Sequence, residues 1–141
     1  MVFLPQKINQ LQFCINIFEN EIKKRGLKIL GWRDVPVNSK VVGKIAALSQ
    51  PTIKQVFIGN EDNRFSEQEF NTNLFVARKI AENKIYKSSL SQKNYFYFSS
   101  LHNRTLIYKG LLVPEDIDRF YLDLSNPNLV TKLALVHQRF S

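Results

Sequence analysis

The side chains able to do chemistry in this sequence are few and scattered. There is one thiol, Cys14, and there are two imidazoles, His102 and His137. A cysteine nucleophile needs a base to hold it as thiolate. Cys14 is internal, so it has no α-amine of its own, and no base stands beside it. It precedes Ile15 on the apolar side of a predicted helix, where a free cysteine behaves as a small buried hydrophobe. Two histidines far apart, without a carboxylate pattern, do not make a metal site. His102 reads as a turn residue. His137 lies two residues before Arg139, so an extended strand points both to one face. It then either touches an active pocket or holds a structural hydrogen bond that fixes its tautomer.

Other candidates have simpler explanations. Trp32-Arg33-Asp34 offers a Trp–Arg pair that could stack on a ligand. The competing reading packs Trp32 into the core and lets Arg33 and Asp34 organise the turn that follows. Tyr95-Phe96-Tyr97-Phe98 could be a base-stacking platform, but only alternate rings of a strand share a side, which favours sheet core. Glu115, Asp116 and Asp118 stand where a helix N-terminus attracts acids, so they mark no metal site. The five glycines are isolated and form no phosphate-cradling loop.

The elements that must position these groups follow from periodicity. Ile8, Leu11, Ile15, Phe18 and Ile22 share one helical face. This predicts a helix to about Arg25, stopped by Gly26. Leu27–Leu30 reads as a strand entering Gly31–Pro36. A short helix is predicted around Ser39–Leu48, ending before Pro51, and a strand over Ile53–Ile58. Ser66 and Glu69 form a capping box, and Phe65 with Phe70 a hydrophobic staple. Behind them Phe70, Leu74, Ala77, Ala81 and Ile85 line one face of the next helix. Tyr95–Phe98 and Thr105–Tyr108 read as a hairpin turned at Asn103. Pro114 opens a short helix to Tyr121, and Leu133–Phe140 reads as a last, buried strand. That strand delivers Arg139 just before the sequence stops. A domain end is usually a solvated polar tail, so the pattern predicts a piece of a larger catalytic domain. No repeat or linker divides the chain, and the mixture is α+β.

Composition narrows the classes further. The chain has 141 residues, 44% hydrophobic and 23% charged, as expected for one globular domain. Apolar runs reach only about five residues, too short for a membrane span, and Met1–Leu4 lacks the basic flank and cleavage site of a signal peptide. A single cysteine excludes an intrachain disulfide, a cysteine-rich zinc site and a self-contained iron–sulfur cluster. The net charge is +8 and the pI about 9.7. The cations are dispersed, and the densest run, Lys23-Lys24-Arg25, sits where a helix C-terminus favours them. A nucleic-acid footprint would need clustering, so nucleic acid is not an expected partner. Frequent Lys, Asn, Ile and Phe fit an AT-rich genome, that of a plastid or a low-GC bacterium.

Four segments, in order, carry a resemblance: Leu30-Gly31-Trp32-Arg33-Asp34-Val35-Pro36; Gln55-Val56-Phe57-Ile58-Gly59; Ser99-Ser100-Leu101 with Arg104–Gly110; and Leu133–Ser141, which contains His137-Gln138-Arg139-Phe140. Together the chain resembles an interior portion of the glutamine amidotransferase domain of glutamate synthases, preferably the ferredoxin-dependent type. This is a class II amidotransferase of the N-terminal-nucleophile hydrolase kind. The resemblance implies part of a four-layer αββα sandwich. It also implies glutamine hydrolysis by an N-terminal cysteine that is not in this chain, with ammonia channelled to 2-oxoglutarate. FMN and an iron–sulfur cluster act in the intact enzyme, none of them expected in this chain. Ferredoxin, glutamine and the remainder of the synthase chain are the implied partners. By the same resemblance Arg139 grips the substrate α-carboxylate and Phe140 helps wall the pocket. No catalytic residue is assigned here, so the isolated chain is expected to be inactive, and its being an enzyme on its own stays open. The implied location is the plastid stroma, alternatively a bacterial cytoplasm. The alternative function is a small basic, non-enzymatic module that binds RNA or an acidic protein partner.

Overall fold

The first helix is set by its apolar face and by a left-handed stop. In the computed structural model, which describes residues 1–137, α1 runs Ile8–Lys24. Leu11, Ile15, Phe18 and Ile22 are buried as their spacing predicts, whereas Ile8 is 76% exposed. Ile8 is the first helical residue, and a side chain there points back past the end of the packed face. Gly26 has φ +69°. Its N–H bonds Lys23 O, and Leu27 N–H reaches Ile22 O, which closes a Schellman turn. The positive φ is what favours glycine here, since the atom a Cβ would meet, Arg64 Nη1 at 2.7 Å, is the movable end of a side chain.

The chain divides into two units. One comprises Met1–Asp34 and Gln50–Tyr108, the other Val35–Ser49 and the chain from Lys109 onward. The first unit holds a four-stranded antiparallel sheet in the order β2-β3-β1-β4. Its strands are β1 (Val2–Leu4), β2 (Lys28–Asp34), β3 (Thr52–Gly59) and β4 (Tyr97–Phe98). In the second unit α2 is Lys44–Leu48, shorter than the predicted Ser39–Leu48. The long helix α3, Glu67–Tyr86, starts on the predicted capping box: Ser66 Oγ accepts from Glu69 N–H, and the Glu69 carboxylate accepts from Ser66 N–H.

Helices α1 and α3 pack together over one face of the sheet. Val2, Leu4 and Phe98 from the strands join Phe18, Ile22, Leu74 and Ile85 in one buried cluster. The Phe18 ring sits 4.8 Å from Phe98 and edge-on to Trp32 at 6.1 Å. Alternation sends Phe3 and Tyr97 to the opposite face, where their rings lie 5.9 Å apart. The fold is α+β, with one sheet and one helix layer in this unit among the described residues.

An ion triad ties the two helices. Glu21 is buried, and its carboxylate accepts from Lys84 Nζ on α3 at 2.6 Å and from Lys24 Nζ at 3.1 Å. The Lys84 hydrogen bond holds the Glu21 carboxyl below its usual range, against the opposing pull of desolvation. Because the folded-state value is depressed, the stabilisation is full above the unfolded carboxyl range. It is lost as pH falls through the folded-state value. Thermal unfolding of Glu21→Gln should therefore vary less with pH than wild type between about pH 6 and pH 3. Parallel curves would exclude the coupling.

Two sequence expectations fail here, and one strand has no counterpart in the sequence reading. Val2–Leu4 is the strand β1, with Val2 and Leu4 fully buried; three residues are too few to show a period. The Tyr95–Phe98 segment is strand only at Tyr97–Phe98, and β4 pairs with β1 instead of with Thr105–Tyr108. No hairpin forms there. Leu133–His137 is irregular and exposed, not a buried strand. No ladder partner meets it among the described residues, and the Leu133 carbonyl instead accepts from Thr131 Oγ1 at 2.9 Å. The rest of that predicted strand lies outside the described residues.

In the second unit Pro114–Asp116 forms a 3₁₀ turn leading into α4, Ile117–Phe120, as Pro114 predicts. Tyr121 is fully buried. Its hydroxyl donates to Lys109 O at 2.8 Å. Asn38 N–H bonds Phe120 O, and Leu122 N–H bonds Pro36 O, which stitches the two stretches of this unit together.

Candidate functional site

Arg139 and Phe140, the two site residues expected from the sequence, lie outside the described residues. What the structure does bring together is three of the four segments that carry the resemblance. The β2–β3 ladder sets Trp32 opposite Val56, Arg33 opposite Gln55 and Asp34 opposite Lys54. Arg33 Nε donates to Gln55 Oε1 at 2.7 Å, and Lys54 Nζ donates to Asp34 at 2.6 Å. Arg33 and Asp34 thus bond across the ladder instead of organising the following turn. Trp32 is half-buried against the core, and its Nε1–H donates to Glu19 at 2.9 Å. That fits the packing reading, not a ring offered to a ligand.

The third segment lies beside Gln55 and Val56 in the middle of β3. Ser99 and Ser100 are both buried. Ser99 Oγ donates to Ile107 O at 2.8 Å, and Ser100 Oγ accepts from Ile107 N–H at 3.1 Å. Two hydroxyls thereby take the backbone groups that a hairpin ladder would have used. The loop they pinch is tied outward as well. Asn71 Nδ2 donates to Asn103 Oδ1 at 2.9 Å, and Arg104 is paired with Glu67. That hydrogen bond from Arg104 holds the Glu67 carboxyl below its usual range. Beneath the loop lies a shallow cleft of about 290 Å³, lined by Met1, by Gln55 and Val56 and by residues of the 100–106 loop. The serine pair is a feature that sequence reasoning missed. Its only signal is two adjacent hydroxyls just ahead of a turn.

The remaining candidates separate cleanly. Cys14 is fully buried, and desolvation pushes its thiol up to about 11. A thiol so placed is neither nucleophile nor ligand at neutral pH. The native chain should react with Ellman's reagent far more slowly than the unfolded chain, and equal rates would contradict the burial. His102 lies in the cleft loop, where its Nδ1 accepts from Arg104 N–H at 3.1 Å; His137 is exposed. Asp116 pairs with Arg119 at 3.2 Å. No cluster of three metal-ligating side chains occurs among the described residues. Phe98 is buried and Tyr97 is 40% exposed, so the aromatic run is sheet structure.

Comparison with known proteins identifies the setting. Residues 1–141 match the family described as glutamine amidotransferases class-II. The chain belongs to that family. It is 41% identical over its whole length to ferredoxin-dependent glutamate synthase 1, chloroplastic/mitochondrial, of Arabidopsis thaliana, covering 8% of that protein. It is 42% identical over its whole length to the glutamate synthase [NADPH] large chain of Bacillus subtilis (strain 168), covering 9% of it. Over 91% of its length it is 39% identical to glutamate synthase [NADH] of Saccharomyces cerevisiae (strain ATCC 204508 / S288c), covering 6%. The chain therefore spans less than a tenth of the relatives it matches. The relatives named for ferredoxin and for NADPH match it equally well, so this segment does not separate the electron donors. Nothing in these likenesses supports the alternative of a non-enzymatic RNA- or acid-binding module.

Proposed function

We propose that this chain is the interior, glutamine-binding portion of the glutaminase domain of a glutamate synthase. Such an enzyme hydrolyses glutamine and passes ammonia to 2-oxoglutarate. The observation that carries the reading is whole-chain similarity to glutamate synthases at about two residues in five. The gathering of three resemblance segments around one ladder and one loop supports it. Arg139 is assigned to the substrate α-carboxylate and Phe140 to the pocket wall. The face of the sheet that carries Phe3 and Tyr97 is where the second sheet of a four-layer sandwich would pack.

The attacking thiol belongs to another part of the polypeptide, since Cys14 is buried and has no base. The iron–sulfur cluster belongs to the remainder as well, because one buried cysteine cannot ligate a cluster, and FMN is assigned there with it. Ferredoxin is the preferred electron donor of the intact enzyme. Composition and the plant relatives favour a plastid, and the bacterial relative keeps a bacterial cytoplasm as the alternative.

The test is a chimera in which this chain replaces its aligned segment in the Bacillus subtilis relative. Glutamine-dependent glutamate formation is expected to persist. A soluble chimera that binds its cofactors but does not use glutamine would overturn the reading. The 141-residue chain alone should release no ammonia from glutamine.

A further inference from the structure

Three side chains that line the cleft, Gln55, His102 and Arg104, have donor groups beyond those their protein partners use. Gln55 Oε1 accepts from Arg33 Nε at 2.7 Å, which fixes the amide so that its NH₂ group has no protein partner among the described residues. His102 Nδ1 accepts the Arg104 backbone N–H at 3.1 Å, so the neutral ring carries its proton on Nε2. Arg104 pairs with Glu67 through Nη2, and a guanidinium has no acceptor to offer. No aspartate or glutamate lines the cleft. The loop is pre-set by the serine clamp on Ile107 and by the Asn71–Asn103 bond, so little ordering is needed on binding.

A small concave site in which three side chains keep spare donors suits an acceptor with several lone pairs, and the Arg104 guanidinium, which also pairs with Glu67, favours a negatively charged one. We propose that this cleft binds a small free carboxylate of amino-acid size, held by Gln55, His102 and Arg104. Its volume of about 290 Å³ suits a ligand of few heavy atoms and not a drug-sized one. The proposal depends neither on the glutaminase reading nor on the role assigned to Arg139. The same chemistry could be met by an aspartate or glutamate side chain from another protein segment, so the test must distinguish the two sources.

The experiment is an amide-detected NMR titration of the 141-residue chain at constant ionic strength. The probes are acetate, L-glutamate, neutral acetamide, and a short aspartate-containing peptide with its asparagine counterpart. Saturable shifts are expected with acetate and L-glutamate at the Gln55 side-chain amide and the 100–106 backbone, and none with acetamide. Gln55→Met and His102→Ala should each weaken binding about tenfold, the loss of one hydrogen bond to a charged group. Both variants' folds are read in the same spectra, and His102 is exposed, so its removal leaves the core intact. Absence of saturation, an equal response to acetamide, or unchanged affinity in both variants would overturn the site. Saturation by the aspartate peptide alone would overturn the free-ligand assignment.

Discussion

Replacing Phe18 by alanine should lower stability by about 3–5 kcal/mol, the usual cost of emptying a fully buried aromatic site. The position joins α1 to two strands of the sheet. Phe18 comes from α1, is fully buried, and touches Phe98 of β4 and Trp32 of β2. The collapse needed to fill the void would have to move a helix against two separate strands, so relaxation recovers little. Small domains hold only about 5–15 kcal/mol in total, which makes this loss a large fraction. The reporter is built in, because Trp32 is the only tryptophan and meets Phe18 edge-on. Urea unfolding followed by its fluorescence should show a lower midpoint with an unchanged slope. Should the alanine variant fail to fold, Phe18→Leu, which keeps most of the volume, should cost less than about 1.5 kcal/mol. A wild-type midpoint in both variants would mean that the α1–sheet contact does not hold the fold together.

What could be read from the sequence is what is decided locally. The Ser66–Glu69 box and the Ile22–Leu27 stop are made by residues within one turn of each other, so residue type alone specifies them. The apolar stripes of α1 and α3 follow from spacing, and only Ile8, at the frayed first turn, departs. Strand pairing is different. Val2–Leu4 is too short to carry an alternation signal, yet it becomes the strand between β3 and β4 because Pro5 ends it and α1 then covers it. Tyr97–Phe98 had two possible partners, a near one at Thr105–Tyr108 and a distant one at Val2–Phe3. The distant one wins because the Ser99 and Ser100 hydroxyls satisfy Ile107 without a ladder.

The cleft was illegible for the same reason. Gln55 is aimed by Arg33 across a β-ladder, and Arg104 is restrained by Glu67 from another element. Neither partnership has a sequence spacing that a motif could express. Family resemblance supplied what geometry could not, because aligned segments carry long-range pairings implicitly. The apolar run at Leu133–Phe140 read as a buried strand, but Leu133–His137 meets no partner strand among the described residues.

Arg139→Ala, made in the chimera with the Bacillus subtilis relative, should raise the KM for glutamine about thirty-fold to a few thousand-fold. That corresponds to the roughly 2–5 kcal/mol typical of removing one member of a hydrogen-bonded charge pair. The split between constants is as informative as the size. The α-carboxylate of glutamine is remote from the amide being cleaved, so its grip is equally strong in the ground state and the transition state. Uniform binding of that kind appears in KM and leaves kcat nearly unchanged. Arg139→Lys keeps the charge but loses the planar fork that pairs with a carboxylate bidentately, so its KM should fall between wild type and alanine. A residue with only a structural role would behave otherwise: alanine and lysine would lower kcat together with the yield of folded enzyme. Unchanged KM in Arg139→Ala, with the chimera still cleaving glutamine, would remove Arg139 from the substrate site and leave the family assignment standing.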